Sequence, residues 1–315
     1  MTEADTERKE FTFNPQSLAI VSTVHYPAWY EGETRWSEPN TLSDKVRGDL
    51  ALKMIGEAKG KNYQVTIVDS GASLTFSQRL GNLGIITFPE EKGGMSTGRQ
   101  QGFREASLLT YTDNGKENFV EAICWLEPEK ISIISDCLPK LVEPILLGQA
   151  DVVIPKRSEK EFEQTYPDYQ VKYERDSNRL WNNMLRKFGI MDSSDQDLDV
   201  WFGPRVFKNT PEIIQTFITK YKYEKIQELG SLGQDVYKPN RYSNATFFPV
   251  IVALYNRLRV TSVKVPYKHP IGQTKIEQDS EEFRKKRADQ QREIIRTCSD
   301  FCRMLVGTKS NTSLS

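Results

Sequence analysis

The sequence lacks an excess of charge of either sign: 43 Lys and Arg stand against 43 Asp and Glu, a formal net charge of zero. That excludes the whole-molecule field that draws a strongly basic chain onto nucleic acid, so such a partner needs a local basic patch. Cysteine and histidine are also scarce, with four of the first and two of the second in 315 residues. Cys124, Cys137, Cys298 and Cys302 show no CxxC spacing and no histidine cluster, so they read as reduced core thiols and not as a zinc site or disulfide frame. No stretch approaches the roughly 18 apolar residues of a spanning helix, and residues 1–13 lack the apolar run of a signal peptide. The expectation is a cytoplasmic protein with no membrane contact and no stable protein partner.

What is present is an alternation of strand-like and helix-like segments, the pattern of an α/β protein with a mainly parallel sheet flanked by helices. Leu18–Thr23 is a short apolar run, as in a strand buried on both faces. A helix is expected from Asp44 to Ala58, with Ser43 or Asp44 as its cap, then strands at 63–68, 83–88 and 122–126. Another strand follows at 150–154, and the charged, aromatic stretch 155–175 reads as an excursion outside the sheet. Beyond it the pattern gives a helix at 178–188, strands at 198–207 and 259–265, and helices at 247–258 and 280–305. The length favours a disordered leader over residues 1–16, one catalytic domain with an elaborated helical C-terminal half over 17–306, and a disordered tail over 307–315.

Ligands of open α/β sheets bind beyond the carboxyl ends of the strands. Three signals fall there: Asp69-Ser70 after the second strand, the Gly-rich turn Gly93–Gly98 before a helix, and Glu127-x-Glu129 after the strand at 122–126. Each has a plain structural reading beside the functional one, since a strand-end Asp forms turns and a Gly-rich helix start permits close packing. The Gly-rich turn is not a P-loop, because Arg99 stands where Lys is needed and Gln100 where Ser or Thr is needed.

In order, the segments VTIVDSGAS (65–73), EKGGMSTGRQQG (91–102) and ICWLEPE (123–129) resemble family-two glycosyltransferases of the GT-A fold. The resemblance covers residues 17–155 well and the rest loosely. It implies that the first segment holds a nucleotide base and ribose, and that an Asp-x-Asp ends the fourth strand. Trp201–Phe207 looks like the acceptor-side strand, and Val265–His269 like the late strand whose His can complete a metal site. The departure is Glu127 and Glu129 in place of two Asp; the longer side chains shift the carboxylates outward, which suits a bidentate guanidinium as well as a hard cation.

With that departure the chain is similar to the fungal arginine-containing cyclodipeptide synthases, through the WLEPEK strand end, the chain length and the GT-A-like order. The resemblance implies a tRNA-dependent enzyme that condenses arginine from arginyl-tRNA with a second amino acid into a diketopiperazine for secondary metabolism. It implies catalytic roles for Glu127, Glu129, Asp69 and Ser70, with Gly94, Arg99, Asp235 and His269 on the substrate side. No cofactor is required on this reading, although a divalent metal could bind. The tRNA surface is expected at Lys156, Arg157, Arg179, Arg186 and Lys187, and at the terminal run Arg284, Lys285, Lys286 and Arg287. Such runs are equally the solvated faces of helices. The alternative is a cytosolic GT-A glycosyltransferase using a nucleotide sugar and a small acceptor, and a third is a GT-A-like binding protein without activity.

Overall fold

A computed structural model describes residues 11, 13–221, 243–278 and 280–312. The substrate-side candidate Asp235 and most of the expected leader lie outside the described residues. Nine strands occur among the described residues: β1 (Leu18–Val24), β2 (Gln64–Asp69), β3 (Ile86–Pro89), β4 (Thr110–Asp113), β5 (Lys116–Phe119), β6 (Ala122–Trp125), β7 (Val152–Arg157), β8 (Arg205–Lys208) and β9 (Val260–Val265). Seven form one sheet in the order β3-β2-β1-β6-β8-β7-β9. All its neighbours are parallel except for β8, which runs antiparallel to both β6 and β7. This is the mainly parallel α/β architecture expected from the sequence.

The central strand β1 explains why both faces must be covered. Its alternating residues divide between two cores, Leu18 and Ile20 on one face and Ala19 and Val21 on the other. The first face is covered by α1 (Pro39–Gly60), α2 (Leu74–Asn82) and α4 (Leu138–Leu146). The second is covered by α3 (Met95–Ser107), α6 (Asp168–Lys187), α7 (Pro211–Ile218), α9 (Phe248–Tyr255) and α11 (Glu281–Thr312). Short helices α5 (Glu159–Thr165), α8 (Ser243–Thr246) and α10 (Ile271–Glu277) complete the set. Helix α3 lies unusually close to β1, because a Cβ on Gly102 would stand 2.6 Å from the Val21 side chain. Only glycine permits that approach.

Five local features differ from the sequence reading. Strands β4 and β5 make a separate hairpin whose turn residues Asn114 (φ 49°) and Gly115 (φ 78°) adopt the left-handed pair of a type I′ turn. Helix α1 starts at Pro39, and Asp44, expected as a cap, accepts the Ala28 N–H at 2.8 Å instead. The charged stretch after residue 155 is not an excursion: β7 continues to Arg157, and α6 begins at Asp168, well before Asn178. Of the strand expected over 198–207 only β8 forms, since Val200–Phe202 is a 3-10 turn and Gly203 (φ 104°) breaks the extended run. The last helix continues through Thr312, past the expected boundary near residue 306. No helix among the described residues is long and apolar enough to cross a membrane.

Candidate functional site

The carboxyl ends of β1, β2 and β6 open into a crevice with two lobes. A strand-end lobe of about 440 Å³ is lined by Thr23, His25, Tyr26, Ser70, Glu90 and Arg99. A helical lobe of about 410 Å³ is lined by Tyr166, Gln170 and Glu174 near and on α6, His269 and Glu277 around α10, and Arg287 on α11. The lobes meet at Arg47, Met95, Glu127, Glu129 and Lys286, which line both. Together the volumes fall in the range of small-molecule sites.

Much of the polar chemistry expected in the strand-end lobe is spent on holding the backbone. The Asp69 carboxylate lines neither lobe; it accepts the N–H groups of Gly71 (2.9 Å) and Ala72 (2.8 Å) and the Ser77 hydroxyl (2.8 Å). A carboxylate so occupied closes a turn, the structural role open to a strand-end Asp. Ser70 does line the lobe, but its hydroxyl donates to the Val24 carbonyl at 3.0 Å. Gly94 caps α3 with φ 82°, and the helix it starts carries the buried Arg99, whose guanidinium lies 4.5 Å from the centre of the Trp125 ring. The Gly-rich turn thus delivers Arg99 and Met95 to the crevice.

At the junction the two glutamates diverge in role. Glu129 is buried and accepts both the Tyr26 hydroxyl (2.8 Å) and the Arg47 guanidinium (2.7 Å). Glu127 has an oxygen, Oε2, with no hydrogen-bond partner among the described residues, and the nearest cation is Lys130 at 3.8 Å. Gly203 makes room for it: a Cβ there would stand 2.6 Å from each Glu127 carboxylate oxygen. The φ of 104° at Gly203 adds a second reason for glycine. Lys286 arrives from α11 beside Arg47 and Arg287, and burial together with those two charges pulls its ammonium below the ordinary value.

In the helical lobe His269 is buried, stacks on Tyr166 with ring centres 4.2 Å apart, and places Nε2 3.7 Å from Glu277 Oε2. Burial pushes the imidazole below its ordinary value, against the opposing pull of Glu277. Helix α10 is fixed in place by the Thr274 hydroxyl, which donates to the Thr165 carbonyl (2.7 Å), and by the His269 N–H, which donates to the Thr165 hydroxyl (3.0 Å). Behind Glu174, Arg157 is buried and bonded to both Glu174 and Asp199, with an Asp199 oxygen at 2.7 Å.

The expected nucleic-acid surface does not assemble. Arg157 is sealed in that buried triad and cannot reach a phosphate backbone. Arg179 pairs with Asp176 (3.0 Å) and Arg186 with Asp197 (2.8 Å), while Lys187 is exposed near the end of the same helix. Lys156 is half-buried in β7. Of the terminal run, Arg284, Lys285 and Lys286 are exposed, and Lys286 and the half-buried Arg287 line the crevice. Sequence reasoning missed Arg47, Glu174, Gln170 and Glu277; no local motif marks any of them.

No family model matches the chain, and no curated protein matches it. Among solved structures it is similar to glucosyl-3-phosphoglycerate synthase from Mycobacterium tuberculosis. One such structure, with Mn2+, UDP-glucose and phosphoglyceric acid, has a TM-score of 0.50 at 10% identity, covering 93% of this chain and 80% of that one. Another, with Mn2+, UDP-glucose and glycerol 3-phosphate, has a TM-score of 0.50 at 10% identity over 91% and 80%. The fold is GT-A. The cyclodipeptide synthase reading, with its aminoacyl-tRNA partner, is corrected: these neighbours were solved with UDP-glucose and small acceptors, not with tRNA.

Mn2+ accompanies UDP-glucose in both of those structures, and an ion shared with a diphosphate needs only one or two carboxylates from the protein. Glu129 already holds a guanidinium, His269 faces Glu277, and no group of three His, Cys, Asp or Glu converges among the described residues. Glu127 alone keeps a carboxylate oxygen without a hydrogen-bond partner at the junction.

Proposed function

We propose that the chain transfers a sugar from a nucleoside diphosphate sugar to a small acceptor. The observation that carries this reading is the convergence of Arg47 and Lys286 where the two lobes meet beyond the strand ends, with Arg287 beside them in the helical lobe. Like charges gathered in a crevice favour an anion, and burial together with the charges of Arg47 and Arg287 holds Lys286 below its ordinary value, a cost an anion relieves. A diphosphate seated there puts its nucleoside in the strand-end lobe, against Thr23, His25 and Ser70, and directs its sugar toward Glu127.

The chemistry then falls to this chain's own side chains. Arg47, anchored by Glu129, and Lys286 neutralise charge as it builds on the leaving diphosphate. The acceptor hydroxyl enters from the helical lobe, its oxygen bonds to the anomeric carbon, and the bond from that carbon to the diphosphate oxygen breaks with its electron pair. Glu127, at the junction with an oxygen to spare, takes the hydroxyl proton. GT-A neighbours that bind UDP-glucose add support for the fold's compatibility with this reaction.

The test is titration of the full chain with UDP and with a panel of nucleotide sugars, followed by mass spectrometry of products formed with mixed small acceptors. Saturable UDP binding that Arg47→Ala weakens supports the reading. Absence of nucleotide binding across the panel sinks it.

A further inference from the structure

The walls of the helical lobe offer acceptors of hydrogen bonds that nothing else uses. Glu277 is 3% exposed, and its Oε2 has no hydrogen-bond partner among the described residues. Its other oxygen accepts the Gln273 side-chain amide at 2.9 Å. Gln170, 2% exposed, has its side-chain amide donating to Glu174 at 2.7 Å, which leaves Oε1 without a partner among the described residues. His269, 4% exposed, has neither ring nitrogen within hydrogen-bond distance of a partner. Leaving a buried acceptor without a partner is costly, and more so when it is charged. Three residues with such atoms line one cavity, the pattern of a site completed by a ligand.

From this we infer that the helical lobe selects an acceptor carrying a protonated nitrogen, an alkylammonium or guanidinium group, and that Glu277 receives it. This deepens the glycosyl-transfer reading by naming the acceptor's class, and rests on it only for the reaction.

The sign of the ligand follows from which groups are already paired. Arg157 is saturated by Asp199 and Glu174. Lys130 lies over the Phe202 and Tyr267 rings, 4.9 and 5.3 Å from their centres, beside Glu127. Arg287 stands 3.9 Å from Glu174. Glu277 feels Arg287 and Lys286 only at longer range; its nearest partner, His269, is 3.7 Å away, and burial favours that ring's neutral form. A buried carboxylate with a weak partner gains most from a charged donor, which brings both charge and hydrogen bonds. Trp201 and Phe283, also in the lining, supply aromatic surface suited to a cation. An anionic acceptor, such as the phosphoglyceric acid bound by the M. tuberculosis enzyme, would meet Glu277 and Glu174 here.

The experiment is calorimetric titration of the full chain with n-butylguanidinium and n-butylammonium, with 3-phosphoglycerate and glycerol as anionic and neutral controls, and with UDP in parallel. We expect both cations to bind at least ten-fold more tightly than either control, and Glu277→Gln to erase that preference while UDP binding holds. Equal or tighter binding of phosphoglycerate or glycerol overturns the inference, as does cation binding unchanged in Glu277→Gln. If that variant does not fold, the preference in the unmodified chain still decides the sign of the ligand, and Gln170→Leu, expected to weaken cation binding several-fold, decides the place. Cation binding without UDP binding sinks the transferase reading and leaves this one standing; UDP binding without cation preference does the reverse.

Discussion

The two lobes are built from similar residue types and use them in opposite ways. At the strand-end side the polar side chains serve the chain: Asp69, just outside the lobe, closes a turn, Ser70 ties to the Val24 carbonyl, and Glu129 at the junction anchors Arg47. In the helical lobe Glu277, Gln170 and His269 keep polar atoms in reserve. The difference teaches that polarity at a crevice is not yet recognition. What matters is whether a group's bonding capacity is used before the ligand arrives.

The largest way to break this comparison is at the junction. Glu127→Gln keeps size and removes the proton acceptor, so turnover should fall by roughly 10²–10⁴-fold with little change in UDP affinity, measured by steady-state kinetics beside calorimetry. Wild-type turnover would remove Glu127 from the chemistry. Arg47→Ala comes next, with UDP affinity expected to drop about ten- to a hundred-fold, which is about 1.4–2.7 kcal/mol. Binding of n-butylguanidinium in the other lobe should change far less, and equal losses at both would show that the lobes are not separable.

A smaller effect separates holding from binding. Asp69→Ala should cost about 1–2 kcal/mol of stability by chemical denaturation, the scale of a lost side-chain cap, while UDP binding by the folded protein is retained. Loss of binding with unchanged stability would place Asp69 in the site. The smallest is a pH slope. His269 is held below its ordinary value of 6.5, so the unfolded chain takes up a proton near that pH and the folded chain does not. Stability therefore declines as pH falls below about 6.5. Burial works to raise Glu277, but the facing His269 ring, with help from the Gln273 amide and the Arg287 charge, brings it from 4.5 to about 2. Its contribution is present above the higher value and lost as pH falls through that window. His269→Asn should flatten the upper part of the slope in urea melts at stepped pH; an unaltered slope would place its origin elsewhere.

The sequence made the strands of the main sheet readable because apolar runs bounded by turn residues have few other uses. Glu127 and Glu129 were legible as a crevice pair because they follow a buried strand. Their division of labour was not, since Arg47 reaches Glu129 from the middle of α1, where it looks like any solvated helix residue. Arg157 failed the other way: in a charged stretch it reads as surface, and only its partners Glu174 and Asp199 reveal a buried triad. Asp69 looks the same whether it binds a ligand or its own backbone. Residues 47, 127, 277 and 286 meet through topology, and no spacing along the chain encodes that meeting.

The four cysteines sit on opposite sides of the sheet, Cys124 and Cys137 in the core under α1 and α4, Cys298 and Cys302 in the core under α11. All are buried, and burial raises every one of the thiols above its ordinary value, so none reacts readily in the native state. Each pair is thus a clock for its own layer. Alkylation mapped by peptide mass would time the separate openings of the two faces, and a shared rate would mean that the sheet comes apart in one step.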